Sequence, residues 1–252
     1  MNWVQSDDGS YTAYSAEYNE HYHSTKDGAL QESLKKHIEP AFGIHKDKNH
    51  LKIIDICFGL GFNTLLSLYY RDTYFPDTIL EIYSPEFDGE LVASLVNFPY
   101  PEIFEPYLNI ITDIATLGGY EDERTSITVQ ITDAREAMRE LAGVWDVCYQ
   151  DAFSPTVNPL LWTKEYFADV ARLMGDEGVV TTYSIALAIR MGLHENGFNV
   201  YLNAGEGYRN ATVASVRLLS EFEKIDVEHK MRCNPSTTSL SDDFIRGSEN
   251  LS

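Results

Sequence analysis

Positive charge is scarce in this chain. Lys and Arg number 19 against 39 Asp and Glu, for a formal net charge of −20. That balance argues against non-specific attachment to nucleic acid or to an anionic membrane, both of which are polyanions. Cysteine is scarce too: three residues are too few, and odd in number, for a disulfide framework. Cys57 and Cys148 lie in apolar strand-like runs, the pattern of reduced core thiols in a cytoplasmic protein. No run approaches the roughly 18 apolar residues a membrane span needs. The first residues lack the basic and apolar regions of a signal peptide. There is no internal repeat and no low-complexity tract. What remains is 252 residues, 44 % of them hydrophobic, enough for one α/β domain with a small appendage.

The segment Lys52-Ile53-Ile54-Asp55-Ile56-Cys57-Phe58-Gly59-Leu60-Gly61-Phe62-Asn63-Thr64 carries the most information. A β-branched run ends in an acid and a glycine turn, and an apolar helical run from Phe62 to Tyr70 follows. Glycine at such a turn lets backbone approach a ligand. A dinucleotide fingerprint would place a third glycine at position 64, where this chain has Thr64; an NAD-dependent oxidoreductase is therefore the least favoured reading. The turn suits S-adenosylmethionine better. That cofactor has an amino-acid end and no phosphate, and Asp55 could hold its ammonium directly or through water.

Further strands are predicted at Ile79–Ser84, Ser126–Thr132, Trp145–Gln150, Gly178–Tyr183, Phe198–Leu202 and Ala211–Leu218. Helices are predicted at Ala134–Leu141, Lys164–Met174 and Ala186–Asn196. Strand–helix alternation implies a parallel, doubly wound sheet. The last two strands have only a loop between them, which suggests an antiparallel edge. Before the first strand, residues 9–18 read as a hairpin or extended arm, and Ala29–Phe42 as an amphipathic helix with Leu30, Leu34, Ile38 and Phe42 on its apolar stripe.

Acids recur at the predicted strand ends. Glu86 follows the second strand, where a carboxylate can accept both ribose hydroxyls. Asp133, with Ala134, follows the third; it could accept from an adenine amino group, cap the next helix, or both. Asp151 follows the fourth and opens the stiff loop Asp151-Ala152-Phe153-Ser154-Pro155-Thr156-Val157-Asn158-Pro159. It could face the cofactor's reactive end or serve as a cap, and Phe153 could stack on a flat ring. His21 and His23 have no accompanying ligand cluster, so no metal is expected.

Taken together these segments resemble the MnmC-like tRNA methyltransferases. The likeness runs from about Gly9 to Leu218. It is most specific at Tyr18–Ser24 with Asp27–Glu32, at Phe58–Asn63, and at Asp151–Pro155 with Asn158-Pro159 and Trp162-Thr163. Gly178–Ser184, Arg190, Gly192-Leu193 and Gly197-Phe198 follow the family's order. The resemblance implies a Rossmann-like α/β class I S-adenosylmethionine-dependent methyltransferase. Its sheet is mostly parallel and seven-stranded with an antiparallel last strand, and a small N-terminal β arm precedes it. The expected organisation is an arm at 1–27, a methyltransferase domain at 28–225 with an insertion at 98–124, and a flexible tail at 226–252. No room is left for the FAD-dependent oxidase to which the family's bifunctional members are fused.

The implied activity is N-methylation of an aminomethyl group on the wobble uridine of tRNA, after other tRNA-modifying enzymes have acted. Carried over by position, Asp151 is the catalytic acid. Gly59, Gly61 and Asn63 match the cofactor turn, Glu86 the ribose acid and Asp133 the adenine-side acid; beside these, Asp55, Phe58 and Ala134 are expected to bind the cofactor, and Tyr22, Phe153, Pro155, Asn158 and Tyr183 to face the substrate. The family's basic cluster before the final strand is reduced here to Arg209. A methyltransferase or aminopropyltransferase for a small amine, which an acidic protein suits, is the alternative, as is a non-catalytic S-adenosylmethionine-binding protein.

Overall fold

A computed structural model describes residues 3–249. The chain begins with a small antiparallel sheet of β1 (Trp3–Gln5), β2 (Tyr11–Ser15) and β3 (Glu20–His21). A helix follows in three parts: α1 (Ala29–Ser33), a π-helical turn at Leu34–Ile38, and α2 (Glu39–Ile44). Then come β4 (His50–Ile56), α3 (Phe62–Tyr74), β5 (Ile79–Glu86), α4 (Gly89–Ser94), α5 (Leu108–Leu117), β6 (Gly119–Glu121), β7 (Thr125–Ile131), α6 (Ala134–Glu140) and β8 (Trp145–Gln150). The chain continues through α7 (Lys164–Leu173), β9 (Met174–Thr182), α8 (Leu187–Glu195), β10 (Asn199–Asn203), β11 (Ala211–Ser215), β12 (Glu223–Lys224), α9 (Val227–Cys233) and α10 (Asp242–Glu249).

The main sheet has the order β12-β10-β11-β9-β8-β4-β5-β7-β6. Its centre, from β9 through β8, β4 and β5 to β7, is parallel. The predicted seven strands are all present, and the short β6 and β12 extend the two edges. Successive residues on the central strands point to opposite faces. Ile53, Val147 and Tyr149 pack into one apolar core with α3 and α5, while Ile54, Ile56 and Cys148 pack into another with α6, α7 and α8. Burial on both faces is why these strands read as near-continuous apolar runs.

The sheet order reverses between β4 and β8. Crevices in such sheets open at the carboxyl ends of the strands flanking the reversal. The glycine turn after β4 and the acid after β8 both lie there.

Several expectations are refined or corrected. The β10–β11 hairpin forms the expected antiparallel side of the sheet, with β11 as its inner strand between β9 and β10. Every one of its five residues is buried, a burial that an edge position would deny to one side. The stretch 98–124, expected as an insertion, belongs to the fold's own crossover: α5 connects β5 to β7 with Ile110, Ile111 and Ile114 in the core. The helix before β4 buries Glu32, Lys36 and His37 beside its apolar residues, while Leu30 and Leu34 are only partly covered. Ile38 and Phe42 of the predicted stripe are in the core and Leu30 and Leu34 pack against it; the π-helical turn changes the residue spacing, and the polar residues are buried as well. The segment 226–249 is not loose: Val227 and Ile245 are buried, and Asp242 pairs bidentately with Arg135 at 2.9 and 2.6 Å. The remainder of the expected flexible tail, 250–252, lies outside the described residues.

Candidate functional site

The turn after β4 packs three left-handed residues into five: Cys57 at φ 65°, Gly59 at 55° and Gly61 at 76°. For cysteine this conformation is strained, and strain of this kind collects at functional sites. A Cβ built on Gly61 would lie 3.0 Å from Phe58 Cζ, tighter than packing allows without movement. On Gly59 it would lie 3.4 Å from Tyr22 Cδ1. The turn therefore needs glycine for both its backbone and its clearance.

β5 delivers Glu86 against this turn. Gly59 N–H donates to Glu86 Oε2 at 2.8 Å and Asp88 N–H donates to Oε1 at 2.9 Å. Burial pushes the Glu86 carboxyl up, against the pull of those backbone N–H groups. Asp133 caps α6, accepting from Arg135 N and Glu136 N at 2.7 and 3.2 Å, and it also stands on the cavity wall beside Ala134.

A cavity of about 920 Å³ runs across these strand ends. Its lining includes Phe58, Gly59 and Glu86 from the turn and β5, Asp133 and Ala134 at the start of α6, and Asp151, Leu161, Tyr183 and Arg209. The N-terminal arm forms one wall. Tyr18 stacks on Phe153, with ring centroids 4.5 Å apart and planes at 19°. Glu20 accepts from Ser154 N at 3.1 Å and from Ser154 Oγ at 2.5 Å. One face of Phe153 is thus already covered by the protein.

Asp151 sits at the heart of a polar cluster. Asn63 Nδ2 donates to Asp151 Oδ2 at 3.0 Å and to Asp55 Oδ1 at 3.2 Å. His37 Nε2 lies 3.4 Å from Asp151 Oδ1. Burial raises the Asp151 carboxyl, but His37, His23 and the Asn63 amide outweigh it and hold it below the usual range. Asp55 shares the Asn63 amide but has no histidine beside it. Burial pushes it up to about 8, although Thr64 Oγ1 and Asn63 donate to it. The two acids are thus driven apart by their surroundings, the pattern of a site that keeps one carboxylate ionised.

Of the predicted site residues, Phe58, Gly59, Asn63, Glu86, Asp133, Ala134, Asp151, Tyr22, Phe153, Asn158 and Tyr183 line the cavity. Asp55, Gly61 and Pro155 do not. Asp55 is 1 % exposed and is tied down by Asn63 and Thr64, so it supports the turn from behind and offers no carboxylate to a ligand ammonium. Tyr183 donates its hydroxyl to Ala152 O at 2.9 Å and braces the Asp151 loop. The sequence reading missed His37, Glu32 and Lys36. The last two form a buried pair at 2.5 Å, and both line the cavity. Only polar residues placed on a helix's apolar side could have flagged them. Among the described residues no group of three or more His, Cys, Asp or Glu could hold a metal, and no helix is long and apolar enough to cross a membrane.

The wall chemistry suits S-adenosylmethionine. Glu86 retains acceptor capacity for a ribose, Ala134 and Leu161 offer apolar contact, and the glycine turn clears space for backbone approach.

Comparison with known proteins agrees with this geometry. Residues 102–217 match a family described as S-adenosyl-L-methionine-dependent methyltransferase. An uncharacterized protein of Methanocaldococcus jannaschii is 29 % identical over 204 residues, 77 % of this chain and 53 % of the relative. The tRNA 5-methylaminomethyl-2-thiouridine biosynthesis bifunctional protein MnmC of Ralstonia nicotianae is 29 % identical over 226 residues, 81 % of this chain and 33 % of that protein. The chain thus spans about half of the first relative and a third of the second. The crystal structure of MnmC2 from Aquifex aeolicus superposes with a TM-score of 0.84 at 30 % identity, covering 96 % of this chain and 78 % of that one. With that likeness extending over nearly the whole fold, the chain belongs to the MnmC-like methyltransferase family, and its fold is that of a class I S-adenosylmethionine-dependent methyltransferase.

Proposed function

We propose that this protein transfers a methyl group from S-adenosylmethionine to the aminomethyl group of a wobble uridine in tRNA, giving the methylaminomethyl form. It would act in the cytoplasm, after other enzymes have installed the amine. The observation that carries the reading is Asp151: an acid on the wall of the cavity that the glycine turn and Glu86 also line, contacted by Asn63 and His37. Bound S-adenosylmethionine would supply an electrophilic methyl carbon on a sulfonium; Gly59, Glu86, Asp133 and Ala134 would hold it.

The chain's own residues would then orient the amine. An aminomethyl group is largely protonated at neutral pH, and its lone pair must be freed. Asp151 attracts the ammonium, fixes its direction and accepts a proton from it. Alignment of this kind is worth roughly 7–11 kcal/mol, against about 10²–10⁴-fold for proton acceptance. Tyr22, Asn158 and Tyr183 would bound the slot for the base.

One observation favours a second reading, a small cationic amine as acceptor. Arg209, the cation left where relatives were expected to be basic, is paired with Asp27 at 2.7 Å. A labelled-donor assay comparing tRNA that carries aminomethyluridine with polyamines tests both. Transfer to the tRNA alone supports the proposal, transfer to polyamines alone replaces it, and cofactor binding without transfer to either points to a non-catalytic binder.

A further inference from the structure

His37 is fully buried, on the π-helical turn, and lies behind Asp151 rather than on the cavity wall. Its Nδ1 is 2.8 Å from Thr181 Oγ1 on β9. Its Nε2 has no hydrogen-bond partner and points at Asp151 Oδ1 across 3.4 Å. A charge-assisted N–H···O bond would close to about 2.7–2.9 Å. At 3.4 Å that bond is not made in the structure, and Nε2 faces the carboxylate oxygen without a partner of its own. In the tautomer whose Nδ1–H donates to Thr181 Oγ1, the Nε2 lone pair faces Asp151. The same bond serves the imidazolium, so gaining a proton requires no rearrangement around the ring.

We propose that His37 is a positioning residue that takes the amine's proton from Asp151 and holds it during methyl transfer. This rests on the reading of the site as an amine methyltransferase. An N–H bond of the substrate ammonium breaks as an O–H bond forms at Asp151. That bond breaks in turn as an N–H bond forms at His37 Nε2. Asp151 is again an anion, the amine is neutral with its lone pair free, and the site's total charge is unchanged. The proton leaves to water after the methylated product departs.

The titratable neighbours of His37 are few. Asp151 is the nearest, and Tyr149 on β8 lies with ring centroids 5.6 Å away. His23 from the arm interacts electrostatically with both His37 and Asp151, and burial holds its ring below the usual imidazole range. On the same helix, Lys36 is already paired with Glu32. Asp151 is therefore the dominant charge felt by Nε2.

Two measurements test this. In the first, single-turnover methyl transfer to tRNA carrying aminomethyluridine is followed from pH 6 to 10 for the parent and for His37→Gln, which keeps a polar side chain but stores no proton. Expected is a rate loss of about 10²-fold near pH 7, shrinking about tenfold per unit as pH rises toward the amine's own ionisation. Cofactor affinity and KM should stay within about twofold of the parent. A loss equal at every pH, or no loss, overturns the proposal. In the second, the nitrogen resonances of His37 are titrated without substrate in the parent and in Asp151→Asn. The midpoint should fall by at least one unit in the variant, and an unmoved midpoint overturns the pairing. This second arm decides the question even if His37→Gln does not fold. If the parent transfers no methyl to the tRNA yet His37 titrates with Asp151, the substrate reading fails while the pair stands.

Discussion

Asn63 joins Asp151 to Asp55: one amide nitrogen donates to both carboxylates, at 3.0 and 3.2 Å. Asp151 is thereby tethered to the foundation of the glycine turn. Asn63→Ala removes the tether and leaves the buried Asp55 and the cavity-wall Asp151 each short of a donor, a change that costs about 1–3 kcal/mol. The midpoint of chemical denaturation should fall accordingly, and methyl transfer should fall with it.

Asp151 itself separates chemistry from binding. Asp151→Ala should reduce turnover by at least about 10²-fold and leave cofactor affinity, measured by calorimetric titration, nearly unchanged. A variant with parental turnover would remove Asp151 from the mechanism.

Gly59 should behave in the opposite way. Its φ of 55° penalises any side chain, and the Tyr22 ring, in contact at 3.4 Å with where a Cβ would stand, leaves little room for the branches of valine. A non-glycine residue in such a conformation costs about 1–3 kcal/mol. Gly59→Val should lower cofactor affinity by about tenfold or more in the same titration, the equivalent of about 1.4 kcal/mol. Intact affinity would move the cofactor elsewhere.

Asp55 predicts a pH dependence of stability. Its carboxyl is raised to about 8 in the folded protein, against about 3.9 when unfolded. Between those values the folded state holds the extra proton, so this group's contribution to stability is greatest at low pH and declines as pH rises through the window toward 8. Asp55→Asn removes that slope, which approaches about 1.4 kcal/mol per pH unit. Unfolding free energies of parent and variant, measured from pH 5 to 8, should converge or cross as pH rises. Parallel curves would show that Asp55 is ionised in the fold.

Asp242 ties α10 to the cavity rim, because its partner Arg135 lines the cavity and also reaches Leu160 O at 2.6 Å. Removing a charged partner from such a bond costs about 1.5–3 kcal/mol. Asp242→Ala should lower the thermal midpoint and weaken cofactor binding together, and a change in the midpoint alone would confine α10 to a structural role.

The sequence by itself determined the strand order's raw material. β-branched runs ending in Asp55, Glu86, Asp133 and Asp151, with glycines after the first, sufficed to place a ligand at the carboxyl ends of a parallel sheet, since local pattern and backbone freedom act over a few residues. It determined the family resemblance through the same short motifs. Tertiary structure alone decided that β11 enters the sheet between β9 and β10, because that choice depends on which neighbour buries both its faces. It decided that α5 is a crossover helix and that the last helices are packed, because their partners are distant in the chain. It also decided the surroundings of Asp151. His37 lies 114 positions away and Asn63 88, so their effect on that acid exists only once the π-helical turn, the glycine turn and β8 have met.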